Sequence, residues 1–180
     1  ILPDVPAKEG EYALNIEAFC AVLAVTHLED YTDATDYLNK AVDFCNDHIW
    51  GTLSMTLLID DKTRKSMSTA FDDAIAKLKY GGIGVNAWAG VVYGLVTPTW
   101  GAYPGHTLED IRSGKGVVHN GLLIDHPEKS VVYAPFVIKP TPPWFCDHKN
   151  LPGMGRAFTN FESTQSIFSV PRLALNAFKG

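Results

Sequence analysis

The sequence has little basic charge and no long apolar run. Lys and Arg number 15 against 20 Asp and Glu, so the chain carries a net charge of −5. Nucleic-acid-binding proteins concentrate basic residues on one face, and this balance therefore argues against a nucleic-acid partner. The longest apolar run, Ala18 to Val25, falls far short of the ~20 residues that a membrane-spanning helix needs. We therefore expect neither nucleic acid nor membrane as a partner.

Cysteine is also scarce. Cys20, Cys45 and Cys146 form an odd set with wide, irregular spacing, which predicts neither a disulfide framework nor a Cys-x-x-Cys metal site. The cytoplasm is the simplest compartment for such a chain, and the N-terminus has no pattern typical of a signal peptide. A hydrophobic content of 46% with 19% charged residues is typical of one globular domain.

The first half of the chain alternates between strand and helix patterns. Ala18–Val25 is an uninterrupted apolar run that suits a strand buried on both faces, although periodicity alone leaves a helix open. Thr32 or Asp33 is the expected N-cap of a helix with one apolar face, and Gly51 is its natural end.

The same alternation continues after this helix. Residues 52–59 predict a strand, residues 60–62 a turn, residues 67–78 an amphipathic helix that stops at Gly81-Gly82, and residues 83–86 another strand. Strands and helices that alternate with short links predict an α/β fold, with a partly parallel sheet, flanking helices and right-handed crossovers.

Beyond Gly105 the pattern is less regular. Thr107 is a candidate N-cap of a short helix, and strands are expected at 116–118, 122–124 and 130–138. The Pro-rich residues 139–144 must be extended, and a short helix is expected from Pro171 to Phe178. We therefore expect one α/β domain over residues 1–139, and an extended Pro-rich tail with a short C-terminal helix over residues 140–180.

Two segments together carry a resemblance to a known family. Glu17-Ala18-Phe19-Cys20-Ala21-Val22-Leu23 is similar to an acid-x-Phe-Gly-Pro-Val segment, and Val85-Asn86 with Pro98-Thr99-Trp100-Gly101-Ala102 is similar to a Val-Asn followed by Pro-Phe-Gly-Gly. In this order they resemble the C-terminal portion of the catalytic domain in the aldehyde dehydrogenase superfamily, over residues 15–135. Cys20-Ala21 replaces Gly-Pro, Trp100 replaces Phe, one residue is inserted, Ala102 replaces the second Gly, and the family's following Lys is missing.

The resemblance implies roles for five residues. Glu17 would accept hydrogen bonds from the ribose hydroxyls beside the nicotinamide of NAD or NADP, for which a carboxylate offers two acceptor oxygens, and Phe19 would pack beside the ring. Trp88, Tyr93 and Trp100 would wall an aldehyde pocket. The alternative for Glu17 is a position at the mouth of a buried strand. For each aromatic residue, core packing or a subunit contact remains open.

The family's activity is the NAD(P)-dependent oxidation of an aldehyde to a carboxylic acid by a catalytic Cys. That Cys and the nucleotide-binding domain belong upstream of the acid-x-Phe segment, which only sixteen residues precede here. We therefore expect a catalytically inactive fragment of a longer enzyme, with Cys20 as a small apolar side chain in a buried strand. Residues 130–138 resemble the family's subunit-pairing strand, which implies a homo-oligomer.

Two other functions remain open from the sequence. The altered signature residues are compatible with a non-catalytic interaction or oligomerisation module that keeps the fold. Cys146 and His148 offer the side chains of a small hydrolase or a metal site, although no further ligand pair has suitable spacing. The aldehyde dehydrogenase interpretation requires that Glu17 and Trp100 share one cleft. His106 and His119 flank the aromatic loop.

Overall fold

The computed structural model describes residues 1–143 and 145–180, which form two compact units, Ile1–Phe136 and Val137–Gly180. The helices are α1 (Tyr12–Asn15), α2 (Ala34–His48), α3 (Asp61–Ser66), α4 (Thr69–Lys77), α5 (Gly90–Gly94), α6 (Leu151–Thr164) and α7 (Val170–Ala177), with a 3-10 turn at Ile167–Ser169. The strands are β1 (Ser54–Leu57), β2 (Gly82–Val85), β3 (Trp100–Gly101), β4 (Val117–Val118) and β5 (Ser130–Tyr133).

The first unit is built on a small parallel sheet in the order β1-β2-β5. Met55 of β1 lies beside Ile83 of β2, which lies beside Val131 of β5. A separate two-stranded antiparallel sheet pairs Trp100 of β3 with Val118 of β4. The expected α/β fold with parallel strand pairs is therefore confirmed at this level.

The two faces of β2 differ because its sequence alternates glycine with branched residues. Ile83 and Val85 are fully buried and pack into the apolar core formed with α2 and α4. The other buried members of that core are Leu38, Val42, Ile59, Met67, Phe71, Ala74, Ile75, Leu78 and Tyr80. Gly82 and Gly84 lie on the opposite face, because successive residues of a strand alternate sides.

The glycine face of β2 is covered by the chain that follows it. A Cβ atom on Gly84 would lie 2.3 Å from the carbonyl oxygen of Ala87, and one on Gly82 would lie 3.0 Å from the ring of Trp100. Position 84 therefore needs glycine so that the loop can approach the sheet closely, whereas a side chain at Gly82 would require the Trp100 ring to shift by a few tenths of an ångström. Thr56 of β1 also holds this loop, because its hydroxyl accepts a hydrogen bond from the Ala89 N–H (3.0 Å).

Two aspartates begin the central helices. The Asp33 carboxylate accepts hydrogen bonds from the N–H groups of Thr35 and Asp36, so α2 begins where the sequence predicts. Asp60 caps α3 in the same way through Lys62 and Thr63, and the hydrogen bonds to Thr63 are the largest cause that lowers the pKa of the Asp60 carboxyl. Residues 60–62, expected as a turn, therefore start a helix.

The amphipathic helix expected at residues 67–78 differs in its bounds. It corresponds to α4, which begins only at Thr69. Met67 and Ser68 separate α4 from α3, and Ser68 adopts a left-handed φ of 52°. The helix α4 ends at Lys77, four residues before Gly81. The predicted apolar face is nevertheless the buried face, since Phe71, Ala74 and Ile75 all lie in the core.

The prediction of a buried strand at Ala18–Val25 is wrong for this structure. The segment forms only a single parallel bridge, between Ala24 and Leu2, and Phe19 is 92% exposed. Cys20 is likewise exposed rather than a small apolar side chain in a core. The physical reason is that the backbone of the segment bonds to the N-terminal residues instead of the sheet: the Leu2 N–H donates to the Leu23 carbonyl, and the Val5 N–H donates to the Val25 carbonyl (2.8 Å each).

The later part of the chain corrects further expectations. Thr107 begins no helix, although its hydroxyl accepts a hydrogen bond from the Asp110 N–H in a local turn, and residues 122–124 form an exposed turn instead of a strand. The strand expected at 130–138 ends at Tyr133. The region expected as an extended tail contains the 14-residue helix α6.

The second unit consists of α6, the 3-10 turn and α7, which pack together. The Asn150 side-chain amide donates to both the backbone and side-chain oxygens of Asn176 (3.0 Å each), which joins the start of α6 to the end of α7. The short C-terminal helix that the sequence predicts at Pro171 to Phe178 is confirmed as α7.

Candidate functional site

The aromatic loop leaves β2 at Asn86, whose side chain is buried (5% exposed). Its amide oxygen accepts from the Ile59 N–H (2.8 Å), and its amide nitrogen donates to the Ile59 carbonyl (2.9 Å). Asn86 itself adopts a left-handed φ of 58°, a conformation that Asn tolerates better than most residues. The side chain therefore extends the ladder between β1 and β2 by one step while the backbone turns away.

Trp88 follows the carboxyl end of β2 and is 62% exposed. Its ring covers Gly90, where a Cβ atom would lie 2.6 Å from the indole. Such an exposed ring offers an apolar face to a partner or ligand, yet it lies apart from the other two aromatic residues that the sequence singles out.

Tyr93 and Trp100 do meet. Their ring centroids lie 5.7 Å apart with an interplanar angle of 68°, an edge-to-face geometry that aromatic pairs favour. The His119 ring stacks on Tyr93 from 5.0 Å, and the Trp100 ring lies against Gly82 at the amino end of β2. The structure therefore gathers Tyr93, Trp100 and His119 at the amino end of the sheet, whereas Trp88 follows the carboxyl end.

Thr52 connects this region to the amino end of β1. Its hydroxyl shares a 2.7 Å hydrogen bond with Nε2 of His106, and its N–H donates to the Ser113 hydroxyl (2.8 Å). Its carbonyl accepts from both Gly81 and Tyr103. His106 could be singled out from the sequence because it flanks the aromatic loop. Thr52 could not, because threonine is a common residue in a segment that predicts a strand.

A hydroxyl beside an imidazole is the first pair of a nucleophile–base arrangement. Such an arrangement also needs a third group that orients the base. Within residues 1–143 and 145–180, no hydrogen bond reaches Nδ1 of His106. Thr52 and His106 therefore form a structural tie between the segment before β1 and the loop.

Tyr103, Glu128 and Lys129 form a polar cluster near the same end of the sheet. The Lys129 ammonium donates to the carbonyls of Ile75, Ala76 and Leu78 at 3.2, 2.7 and 2.6 Å and lies over the Tyr103 ring. Lys129 therefore satisfies the carbonyl groups that are left free where α4 ends. Partial burial, followed by the Glu128 charge, raises the pKa of the Tyr103 phenol.

Glu17 and Phe19 lie outside these clusters. Both are exposed, and among the described residues neither forms a hydrogen bond, an ion pair or a ring contact. A carboxylate and a phenyl ring have the chemistry that a nicotinamide riboside needs, but as placed they enclose no space. The two residues therefore do not form a nicotinamide pocket in this conformation.

The Cys146 and His148 pair does not form a reactive site either. His148 is buried (6% exposed) and accepts a hydrogen bond at Nδ1 from the Asn150 N–H, whereas Cys146 is exposed. No group of three or more His, Cys, Asp or Glu side chains could hold a metal ion in the part of the chain that the structure describes.

An apolar concavity lies between α2 and the outer edge of β1. Its volume is about 580 Å³. From α2 it is lined by Leu38, Val42 and Cys45. From the other side it is lined by Met55 and Leu57 of β1 and by Ile59, two residues after β1 ends. Burial raises the pKa of the Cys45 thiol. This concavity, called the β1 groove below, is not among the sites that the sequence predicts.

Comparison with known proteins gives no relative: no family model, no curated protein and no solved structure matches this chain. Among the helices of the described residues, none has the length and apolar character that crossing a bilayer requires.

Proposed function

We propose that residues 1–180 contribute part of the cofactor and substrate walls of an NAD(P)-dependent aldehyde dehydrogenase. The enzyme would oxidise an aldehyde to a carboxylic acid in the cytoplasm. The proposal assigns no nucleophile to these residues, so that they are inactive alone. Glu17 and Phe19 would face the nicotinamide half of NAD or NADP, and Tyr93 and Trp100, which meet at the amino end of the sheet, would face the aldehyde.

One observation carries the proposal: the aromatic loop that resembles the family's substrate loop folds back over a parallel sheet. Asn86 fixes where the loop leaves β2, and Gly82 and Gly84 let it lie directly on the strand. Tyr93 and Trp100 are then held together as an apolar wall. Aromatic side chains on a rigid scaffold are common linings for apolar ligands.

A second function is favoured by the surface of the sheet. Within the described residues, β1 and β5 each pair on one side only, so both edges present free N–H and C=O groups. Phe19, Leu122 and Leu123 are at least 81% exposed. Free edges and exposed apolar side chains recruit other chains, as expected of a non-catalytic, self-associating module.

Nucleotide binding and aldehyde oxidation by the full-length protein distinguish the two functions. We expect NAD+ or NADP+ to bind in a calorimetric titration, and a panel of aliphatic and aromatic aldehydes to give reduced nicotinamide, followed by its absorbance. A folded protein that binds neither nucleotide would contradict the enzyme and leave the interaction module.

Glu17→Gln gives the residue-level test. The substitution keeps one acceptor oxygen but loses the charge, and a hydrogen bond to a charged group contributes about 1.5–3 kcal/mol. We therefore expect the nucleotide affinity to fall about tenfold or more, with little change in thermal stability because Glu17 is exposed. Glu9→Gln is the matched control, since Glu9 is an exposed acid outside the matching segment.

A further inference from the structure

We propose that residues Ala18–Val25 act as a strap that closes onto the free edge of β1 as a fourth parallel strand and fills the β1 groove. The closed form differs from the conformation described above, in which the segment is exposed. Closure concerns the fold of the first unit and does not rest on the proposed function.

The outer edge of β1 has free backbone groups that a parallel strand could bind. Leu53 and Leu57 direct their carbonyls to Gly82 and Asn86 of the β2 side. Backbone groups of a parallel strand alternate between its two neighbours. Ser54, Thr56 and Leu58 therefore direct their N–H and C=O groups outward, where the described chain offers them no backbone partner.

The strap has the complementary pattern. Leu23 and Val25 are hydrogen-bonded to Leu2 on one side: Leu2 N–H donates to the Leu23 carbonyl (2.8 Å), and Val25 N–H donates to the Leu2 carbonyl (2.9 Å). Ala24 consequently directs its backbone groups to the other side. Val22 would do the same in the closed form, where its N–H leaves the Cys20 carbonyl to which it now donates (2.8 Å). The strap can bind β1 on that side without breaking its bridge to Leu2.

The anchors at both ends of the strap fix its direction. The Trp50 N–H donates to the Leu14 carbonyl (2.9 Å), which places the chain before the strap at the amino end of β1. The Asn46 side chain accepts from the Lys79 N–H (2.8 Å), so the C-terminal end of α2 lies near the amino end of β2. The N-terminal end of α2 must then lie toward the carboxyl ends of the strands of the sheet. The strap therefore has to run parallel to β1, between these two anchors.

This direction satisfies the handedness rule for parallel strands. Strap, α2 and β1 form a strand–helix–strand unit, and such units are right-handed in nearly all proteins. An extended segment of eight residues spans about 26 Å, and α2, with 15 residues, spans about 22 Å. The helix and the strap are therefore matched in length.

Side chains of the strap also suit the groove. Along a strand, each residue reverses both the side to which its backbone groups point and the face on which its side chain lies. The residues of the strap whose backbone groups point to β1 therefore carry their side chains on the same face of the sheet as Met55 and Leu57. Val22 and Ala24 would then enter the β1 groove beside Cys45, covering apolar surface that the described conformation leaves open. Glu17, just before the strap, would come to the amino end of the sheet, where Trp100 lies against Gly82.

Residue-resolved amide exchange tests closure in the full chain. In the closed form the N–H groups of Thr56 and Leu58 donate to the strap, so we expect them to exchange at least about tenfold more slowly than unprotected amides. Exchange of both at unprotected rates in the wild type overturns the proposal. Protection that grows with protein concentration also overturns it, since a second copy would then occupy the edge.

A pair of proline variants identifies the strap as the occupant. Ala24→Pro removes an N–H that points to β1, whereas the matched control Ala21→Pro removes one on the opposite side of the same segment. We expect Ala24→Pro to abolish the protection of Thr56 and Leu58, and Ala21→Pro to preserve it. Protection that survives Ala24→Pro, or that both variants abolish alike, contradicts the assignment.

Alkylation of Cys45 supplies an independent readout. In a Cys20→Ser, Cys146→Ser background, the closed strap shields Cys45, and Ala24→Pro should raise its alkylation rate about tenfold or more. Unchanged circular dichroism would show that each variant is folded. An alkylation rate that is equal in both proline variants and the parent overturns the proposal even where amide spectra cannot be assigned.

Discussion

Asn86 and Ile59 exchange two hydrogen bonds in which a side-chain amide takes the place of a backbone step. The Ile59 N–H donates to Oδ1 of Asn86, and Nδ2 of Asn86 donates to the Ile59 carbonyl, at 2.8 and 2.9 Å. Both groups of Ile59 are thereby satisfied in a buried position, although the backbone of residue 86 has already turned away. The start of the aromatic loop is thus fixed by the ladder of β1 and β2.

Asn86→Ala should destabilise the first unit substantially. The substitution leaves a buried N–H and a buried C=O of Ile59 without partners, each at a cost of about 1–3 kcal/mol. We therefore expect the free energy of unfolding in urea to fall by about 2–4 kcal/mol.

Asn120→Ala is the matched control for this substitution. Asn120 has a similar φ of 51° and also bonds a carbonyl, that of Thr97, but it is exposed. Both variants replace an Asn whose backbone has a left-handed φ, but the Asn86 side chain is buried and the Asn120 side chain is exposed. Equal losses of stability would show that φ alone, and not the bonds to Ile59, explains the effect.

The glycine face of β2 gives a second prediction. In Gly84→Ala the new Cβ atom would lie 2.3 Å from the Ala87 carbonyl oxygen, so the loop has to move. Overpacking of this kind costs about 1–3 kcal/mol, and we expect that loss in chemical denaturation, together with altered near-ultraviolet circular dichroism from Trp88.

Gly94→Ala serves as the control because nothing lies within 4 Å of its added Cβ atom. Gly94 is the last residue of α5, and replacing glycine by alanine in a helix contributes up to about 1 kcal/mol of stability. A destabilised Gly94→Ala, or a Gly84→Ala as stable as the wild type, would contradict the close approach of the loop.

Local patterns in the sequence predict α2, α4, α7 and the central strands β1 and β2. The apolar faces of α2 and α4 follow a helical period, and Asp33 is a capping residue that the structure uses. Residues 52–59 and 83–86 predict β1 and β2 because fully apolar or alternating runs are direct signals of burial. These elements depend on neighbours in sequence.

The misses depend on contacts between distant residues. Ala18–Val25 has the composition of a buried strand, but burial also needs an adjacent strand, which composition cannot supply. Thr52 has no local signal in the sequence because its partners, His106 and Ser113, are more than 50 positions away. The break between α3 and α4 at Ser68 also has no local signal in the sequence, since no glycine or proline marks it.

Lys129 caps α4 from a distant part of the chain, and its removal should be costly. In Lys129→Met the carbonyls of Ile75, Ala76 and Leu78 lose the ammonium that now binds all three. Hydrogen bonds to charged groups contribute about 1.5–3 kcal/mol, so we expect a loss in that range, measured by urea denaturation.

The control for Lys129 is Lys62→Met. Lys62 is an exposed residue of the first turn of α3, and its replacement should change stability by no more than about 0.5 kcal/mol. If the free energy of unfolding falls equally in both variants, the loss of a positive charge explains the result, and the hydrogen bonds of Lys129 to the end of α4 do not.

Tyr80 predicts how stability responds to alkaline pH. Its phenol is buried and donates to the Cys45 carbonyl (2.9 Å). Burial, followed by the nearby Cys45, raises the pKa of the Tyr80 phenol far above its usual value of 10. The folded state therefore keeps its proton where the unfolded chain has lost it, so the contribution is complete below about pH 10 and is lost as pH rises further.

We expect the free energy of unfolding to fall above pH 10, with Tyr80 contributing up to about 1.4 kcal/mol per pH unit. Cys45, whose pKa is also raised by burial, contributes in the same direction from about pH 9 upward.

Tyr80→Phe should lower stability at neutral pH, because the Cys45 carbonyl loses its donor, but should flatten the alkaline decline. Tyr12→Phe, at an exposed tyrosine, should leave the profile unchanged. An alkaline decline of the same slope in Tyr80→Phe and the wild type would show that Tyr80 ionises as readily in the folded chain as in the unfolded one.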